Sequence, residues 1–175
     1  LFAAGPYGWK AQNPTLAARA MEGFSLHRWD GHSDEVENAT TRMRSAPLAV
    51  FLREGLVPPP RDSAREATTK ELRERELFFS DSTQCASCHD AGRDYTDRVA
   101  HPLRPLPTRP GFVDEDDTAF KTPSLLFLSG SAPYMHDGSS PTLEALIENN
   151  QDRMGRTSHL SRQDRAALVA FLKTL

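Results

Sequence analysis

The feature that constrains this chain most is the segment Cys85-Ala-Ser-Cys-His89, which contains both of its cysteines. In a C-x-x-C-H segment the two thiols add to the vinyl groups of a haem, and the imidazole that follows binds the iron. The segment therefore predicts one covalently attached haem c, held through Cys85 and Cys88 and ligated by His89. A C-x-x-C pair also occurs in redox dithiols, disulfides and zinc sites, but a zinc site would need two further ligands.

Composition and charge exclude other classes of protein. The chain has 175 residues, of which 38% are hydrophobic and 26% charged, and its net charge is −3. No basic stripe stands out, which argues against a nucleic-acid partner. No apolar run approaches the roughly 18 residues that a membrane helix requires, so we expect no transmembrane segment in this chain. The chain begins with Leu1 rather than methionine, so we expect a processed or trimmed polypeptide.

A proline run divides the sequence. Pro58–Pro60 is stiff and extended, and it predicts a linker over residues 57–62. Ser63 and Glu66 follow as a capping-box pattern, which predicts a helix over residues 64–79, directly before the haem motif.

Two helices are expected to build the core. The first uses Leu72 and Leu77–Phe79 as its apolar face, and the second begins after Ser161 near the end of the chain. The second helix carries an apolar stripe at positions i, i+3, i+4 and i+7: Leu168, Phe171, Leu172 and Leu175. This stripe is expected to pack against Leu77–Phe79.

Between the haem motif and the last helix, the sequence predicts one long loop and one short helix. Residues 91–122 are rich in proline and show no clear period, so they predict a loop with at most a short helix. Ser140 and Pro141 are typical of an N-cap followed by the first helical position, and they predict a helix over residues 142–150.

Several motifs occur in the order of a known family. They are Glu76-Leu-Phe-Phe-Ser80, Cys85–His89, Phe120-Lys-Thr-Pro-Ser-Leu125, Ala132-Pro-Tyr-Met-His-Asp-Gly138 and Leu168-Val-Ala-Phe-Leu172. With these motifs, residues 63–175 resemble a class I cytochrome c domain. More specifically, they resemble the C-terminal haem domain of bacterial di-haem cytochrome c peroxidases and MauG-like proteins. The resemblance implies an all-α, class I cytochrome c fold around one covalently bound haem.

The resemblance also implies a sixth iron ligand. In the family, the methionine of the Ala-Pro-Tyr-Met-His-Asp-Gly segment binds the iron opposite the histidine, and here that residue is Met135. A thioether is a soft, neutral ligand that raises the reduction potential. Met21, Met43 and Met154 are less suitably placed. His101, His136 and His159 are interpreted as structural or surface residues.

The first third of the chain contains a weaker copy of the same pattern. Pro6–Leu16 aligns without gaps to Pro133–Leu143, and Ala49–Leu52 is similar to Val169–Leu172. Residues 1–56 are therefore predicted to be a partial cytochrome c-like repeat, whose own haem motif is not in this chain.

Gly8 occupies the methionine position in this copy. A haem bound there would need another distal ligand or none. His27 and His32 are candidates, although a loop histidine is more often simply solvated. Trp9 could line a pocket or belong to a core.

Two functions compete at this stage. The first is electron transfer by a His/Met-ligated, low-spin haem that passes single electrons between redox partner proteins. The alternative is the electron-feeding domain of a di-haem cytochrome c peroxidase or MauG-like enzyme. With one haem motif in the sequence, an electron carrier is favoured over an enzyme, and Met135 argues against gas sensing. The resemblance implies an extracytoplasmic, bacterial periplasmic location, and a place in a larger multi-haem or membrane-associated complex is compatible with it.

Overall fold

The computed structural model describes residues 5, 7–26, 39–55, 68–103 and 119–175. The chain forms two compact units, Leu1–Ala64 and Arg65–Leu175. Within the described ranges, no helix is both long and apolar enough to cross a membrane. The expected 57–62 linker and the two candidate ligands His27 and His32 lie outside the described residues.

The first unit contains two helices that pack against each other, α1 (Leu16–Leu26) and α2 (Ala39–Val50). A π-helical turn, Phe51–Gly55, continues α2. The Thr15 hydroxyl accepts a hydrogen bond from the Ala18 amide at 3.0 Å and thereby caps α1.

The core of the second unit lies between α3 (Thr69–Phe79) and α5 (Arg162–Leu172). The stripe on the last helix is buried, with Leu168, Phe171, Leu172 and Leu175 exposed by 0, 7, 5 and 7%. The Phe171 ring lies 5.2 Å from Phe78 and 6.2 Å from Phe79, between ring centroids. The expected packing of this stripe against Leu77–Phe79, at the end of α3, is confirmed.

Helix α3 begins later than the sequence pattern suggests. Thr68 is extended, with φ −68° and ψ 160°, and it forms a capping box with Glu71. The helix before the haem motif therefore begins at Thr69 and not near residue 64, because the extended residue 68 ends any continuous helix there. The predicted capping box of Ser63 and Glu66 lies outside the described residues. Leu72 is also not part of the apolar face, since 54% of its surface is exposed.

Helix α4 spans Leu143–Glu148, and its N-cap is Thr142 rather than the predicted Ser140. Ser140 instead exchanges backbone hydrogen bonds with Tyr134. The predicted N-cap of α5 is confirmed, because the Ser161 side chain accepts from the Asp164 amide at 3.1 Å.

The proline-rich segment contains two short strands that the sequence pattern missed. Strand β1 (Ala100–Pro102) pairs antiparallel with β2 (Ala119–Lys121), and His101 lies opposite Phe120. A strand of three residues is too short to show the alternation on which strand prediction depends. The fold is therefore helix-rich with a small two-stranded ladder, rather than strictly all-α.

Candidate haem site

The two cysteines and the histidine of the motif lie on one tight turn that follows α3. Residues Cys85–Ser87 form a single 3-10 turn, and the amides of Cys88 and His89 both point to the Cys85 carbonyl. Both cysteines are free thiols. The turn therefore presents two unbonded sulfurs and an imidazole within five residues, as covalent haem attachment requires.

Cys85 is the more deeply placed of the two thiols. Burial raises the pKa of the Cys85 thiol, although a hydrogen bond to Thr83 opposes this effect. Gly155 lies directly against it: a Cβ added at Gly155 would lie 2.6 Å from the Thr83 carbonyl oxygen and 3.2 Å from the Cys85 Sγ. Because Gly155 also has φ +76°, only glycine fits this position without strain.

The ring of His89 is oriented by a backbone carbonyl. Its Nδ1 lies 2.8 Å from the Tyr95 carbonyl oxygen, so Nδ1 donates and Nε2 carries the lone pair that can bind a metal. Burial lowers the pKa of His89, and the carbonyl of Tyr95 partly offsets this effect. The imidazole is therefore held neutral, which is the form that binds iron.

Met135 lies on a loop that is closed at both ends. Tyr134 and Ser140 pair through two backbone hydrogen bonds of 2.7 and 3.2 Å, and the Tyr134 hydroxyl donates to the Leu128 carbonyl at 2.9 Å. Met135 is half-buried and has φ +72°, a left-handed conformation that non-glycine residues seldom adopt. Backbone of this kind is concentrated at functional sites, where the surrounding structure enforces it.

The motif turn and the Met135 loop belong to one core. Cys85 and Tyr134 are both members of the same buried apolar cluster, together with Phe78, Leu143 and Leu168. The donor set consists of two free thiols, a neutral imidazole with Nε2 available and a thioether on a separate loop. These residues fit a covalently bound haem.

A second group of possible metal donors lies beside the motif and was not predicted. One atom each of Cys88, Asp97 and His101 can be chosen so that all lie within 4.8 Å of one another. His101 Nε2 and Asp97 Oδ2 form a contact of 2.6 Å. Cys85 is not part of this group, so the described residues do not build a zinc site on both cysteines. His101, expected to be a structural or surface residue, lies on β1 and belongs to this group.

Comparison with known proteins finds similarity to MauG and to a cytochrome c551 peroxidase. No family model matches the chain. It is 33% identical over 115 residues to the methylamine utilization protein MauG of Methylorubrum extorquens, covering 56% of this chain and 32% of MauG. Over 62 residues it is 36% identical to the cytochrome c551 peroxidase of Nitrosomonas europaea, covering 35% of this chain and 18% of that protein.

Two further similarities support the same class. The chain is 44% identical over 59 residues to the hydrazine synthase subunit gamma of Kuenenia stuttgartiensis, covering 32% of this chain and 17% of that subunit. A crystal structure of a MauG-like protein associated with microbial copper homeostasis has a TM-score of 0.70, covering 95% of this chain and 68% of that one. Its sequence identity of 20% supports the fold alone.

The fold and the site resemble those of c-type cytochrome domains. Within that class, the chain resembles MauG-like and cytochrome c peroxidase-like proteins, and the resemblance predicted from the motifs is confirmed. The chain spans about a third of the length of MauG and less than a fifth of the other two curated relatives.

Proposed function

We propose that the chain is an electron-transfer c-type cytochrome in which Cys85 and Cys88 would hold one haem c and His89 and Met135 would bind its iron. The observation that carries the proposal is the turn on which His89 follows both thiols, with its Nδ1 engaged by the Tyr95 carbonyl at 2.8 Å. That hydrogen bond leaves Nε2 for the iron and keeps the ring in one orientation.

Cys85 and Cys88 would hold the haem through two thioether bonds, and His89 and Met135 would bind its iron. Haem c supplies a one-electron couple between ferrous and ferric iron when it is bound. His89 provides a neutral nitrogen ligand, and Met135 provides a soft sulfur that favours the ferrous state. If both residues bind the iron, peroxide and oxygen would have to compete with one of them for it. The chain would thereby hold a haem that exchanges single electrons with redox partner proteins.

Covalent attachment of haem to the chain is tested on a denaturing gel stained for haem. We expect the unaltered chain to retain its pigment, whereas Cys85→Ala with Cys88→Ala should lose it, because no thiol remains to add to a vinyl group. Ser87→Ala is the matched control, since Ser87 lies on the same turn and is exposed. Extraction of the pigment into acid-acetone from the unaltered chain would contradict the proposal.

A second candidate function is the electron-feeding domain of a MauG-like or peroxidase-like enzyme. It is favoured by a local geometry that occurs twice. Tyr7 and Asn13 pair through backbone hydrogen bonds of 3.3 and 3.2 Å, as Tyr134 and Ser140 do at 2.7 and 3.2 Å. These pairs occupy equivalent positions in the gapless alignment of the two segments.

The equivalence extends to the neighbouring residues. Gly8 has φ +85° where Met135 has φ +72°. Thr15 caps α1 with a hydrogen bond of 3.0 Å, and Thr142 caps α4 with one of 3.1 Å. These likenesses support residues 1–56 as a partial repeat whose distal loop carries no thioether. A haem bound against that loop would lack a ligand from this position.

Location and partners follow from the same proposal. Haem c is attached outside the cytoplasm in bacteria, so we place the protein in the periplasm. Its partners are one-electron redox proteins. The similarity to a subunit of hydrazine synthase supports a place in a larger multi-subunit assembly.

A further inference from the structure

The carbonyl that orients His89 lies in an unusual turn. Asp94 and Tyr95 are consecutive residues with left-handed backbone, each with φ +57°. Two such residues in succession are unfavourable for an isolated peptide, so surrounding contacts must hold the turn in place. The Tyr95 ring contributes one contact, with an edge-to-face arrangement 5.8 Å from Phe78.

The other contacts come from the segment Thr122–Ser124, here called the clamp segment. The Ser124 hydroxyl donates to the Asp94 carbonyl at 2.7 Å, on one side of Tyr95. The Thr96 hydroxyl donates to the Thr122 carbonyl at 2.6 Å, on the other side of Tyr95. Both residues that flank Tyr95 are therefore tied to the clamp segment.

The clamp segment is itself fixed in the fold. The Thr122 amide donates to the Val99 carbonyl at 2.9 Å, directly beyond the β1–β2 ladder. Thr96 and Thr122 are only 5 and 6% exposed. The Thr96 hydroxyl also accepts from the Arg98 amide at 3.0 Å, so it is satisfied as donor and acceptor at once. A buried, fully paired hydroxyl of this kind defines one backbone geometry.

We infer that Thr96 and Ser124 are positioning residues for His89, which act by fixing the Tyr95 carbonyl against Nδ1. The inference rests on the proposed role of His89 as an iron ligand. A carbonyl that accepts from Nδ1 increases the electron donation of the imidazole and favours the ferric state. Loosening the clamp segment should therefore shift the reduction potential in the positive direction.

The test measures the reduction potential of the haem-loaded full chain, together with exchange of the His89 Nδ1 proton by NMR. We expect Ser124→Ala and Thr96→Val to raise the potential and to accelerate exchange. Thr96→Ser keeps the hydroxyl and should restore both values. Ser131→Ala is the matched control, because Ser131 is an exposed serine that donates to a backbone carbonyl, that of Phe127 at 2.9 Å.

The outcomes separate this inference from the proposal on which it rests. If the unaltered chain carries no covalent haem, the proposed function fails and the inference fails with it. If haem is present but Ser124→Ala changes potential and exchange no more than Ser131→Ala does, the inference alone is overturned. Because Ser124 is exposed, this comparison stands even if Thr96→Val does not fold.

Discussion

At the scale of single residues, the two proposed axial ligands are prepared in different ways. His89 is oriented by a hydrogen bond, and burial keeps it neutral by lowering its pKa. Met135 has no polar atom that a hydrogen bond could orient strongly, so its position depends on the backbone of its loop. The pairing of Tyr134 with Ser140 fixes that backbone at φ +72°.

Removal of the Met135 thioether should free one coordination position of the iron. We expect Met135→Ala to abolish the weak charge-transfer band that sulfur–iron ligation gives at the red end of the visible spectrum of the ferric protein. Cyanide should bind at least about tenfold more tightly, because about 1.4 kcal/mol of competition from the thioether would account for that factor. The measurements are an absorption spectrum and a cyanide titration.

Met154→Ala is the control for this experiment, since Met154 is a half-buried methionine in the same unit. Its spectrum should match that of the unaltered chain. An unchanged band in Met135→Ala would assign the distal position to the sulfur of another methionine. Absence of the band from the unaltered chain would point instead to a nitrogen ligand, with His136 as the next candidate.

At the scale of elements, the loop between α4 and α5 forms one wall around Cys85. Asn150, only 1% exposed, organises this loop from inside. Its side-chain amide donates to the Gly155 carbonyl at 2.9 Å and to the Thr157 hydroxyl at 3.0 Å, while its oxygen accepts from the Met154 amide at 3.0 Å. The loop thus presents the bare backbone of Gly155 to the motif turn.

A methyl group at Gly155 should therefore disturb the site. We expect Gly155→Ala to lower the free energy of unfolding by about 2 kcal/mol, since alanine is unfavourable at φ +76° and its Cβ would approach Thr83 and Cys85. Gly130→Ala is the matched control, because no atom lies within 4 Å of a Cβ there, and it should change stability by no more than about 0.5 kcal/mol. Urea unfolding of the haem-loaded chain measures the stability of both variants. Equal unfolding midpoints for Gly155→Ala and Gly130→Ala would show that close packing against Cys85 is not required.

At the scale of the whole molecule, the two compact units correspond to two different expectations about chemistry. Arg65–Leu175 contains all four proposed haem-binding residues. Leu1–Ala64 contains the loop in which Gly8 stands at the methionine position. The haem-binding residues of Arg65–Leu175 favour an electron carrier. The loop with Gly8 in Leu1–Ala64 favours an enzyme in which another haem has an open site.

Expression of residues 57–175 alone separates these functions. We expect the fragment to be reduced and reoxidised reversibly with little peroxide turnover, because both axial positions would be filled. The same fragment with Met135→Ala serves as the open-site comparison and should turn over peroxide faster. Rapid turnover by the unaltered fragment would contradict the electron-carrier proposal. Turnover confined to a longer form that contains two haems would favour the enzyme.

Much of the second unit could be predicted from sequence because the relevant interactions are local. The C-x-x-C-H spacing predicts covalent haem attachment from five consecutive residues. The stripe of α5 follows from a period of 3.6 residues, and Ser161 caps that helix through a bond to a residue three positions away. The family motifs add the Met135 assignment, which spacing alone does not provide.

Tertiary structure decided the features that depend on residues distant in the chain. Ser63 and Thr68 both precede a glutamate by three residues in the sequence. Thr68 caps α3, whereas Ser63 lies outside the described residues. The acceptor for His89 is a backbone carbonyl, a group that every residue carries, so no sequence pattern distinguishes Tyr95. The bond from Thr96 to Thr122 spans 26 positions and exists only because the intervening chain returns through β1 and β2. The sequence therefore determined which groups are proposed to bind a haem, and the tertiary structure determined how His89 is held.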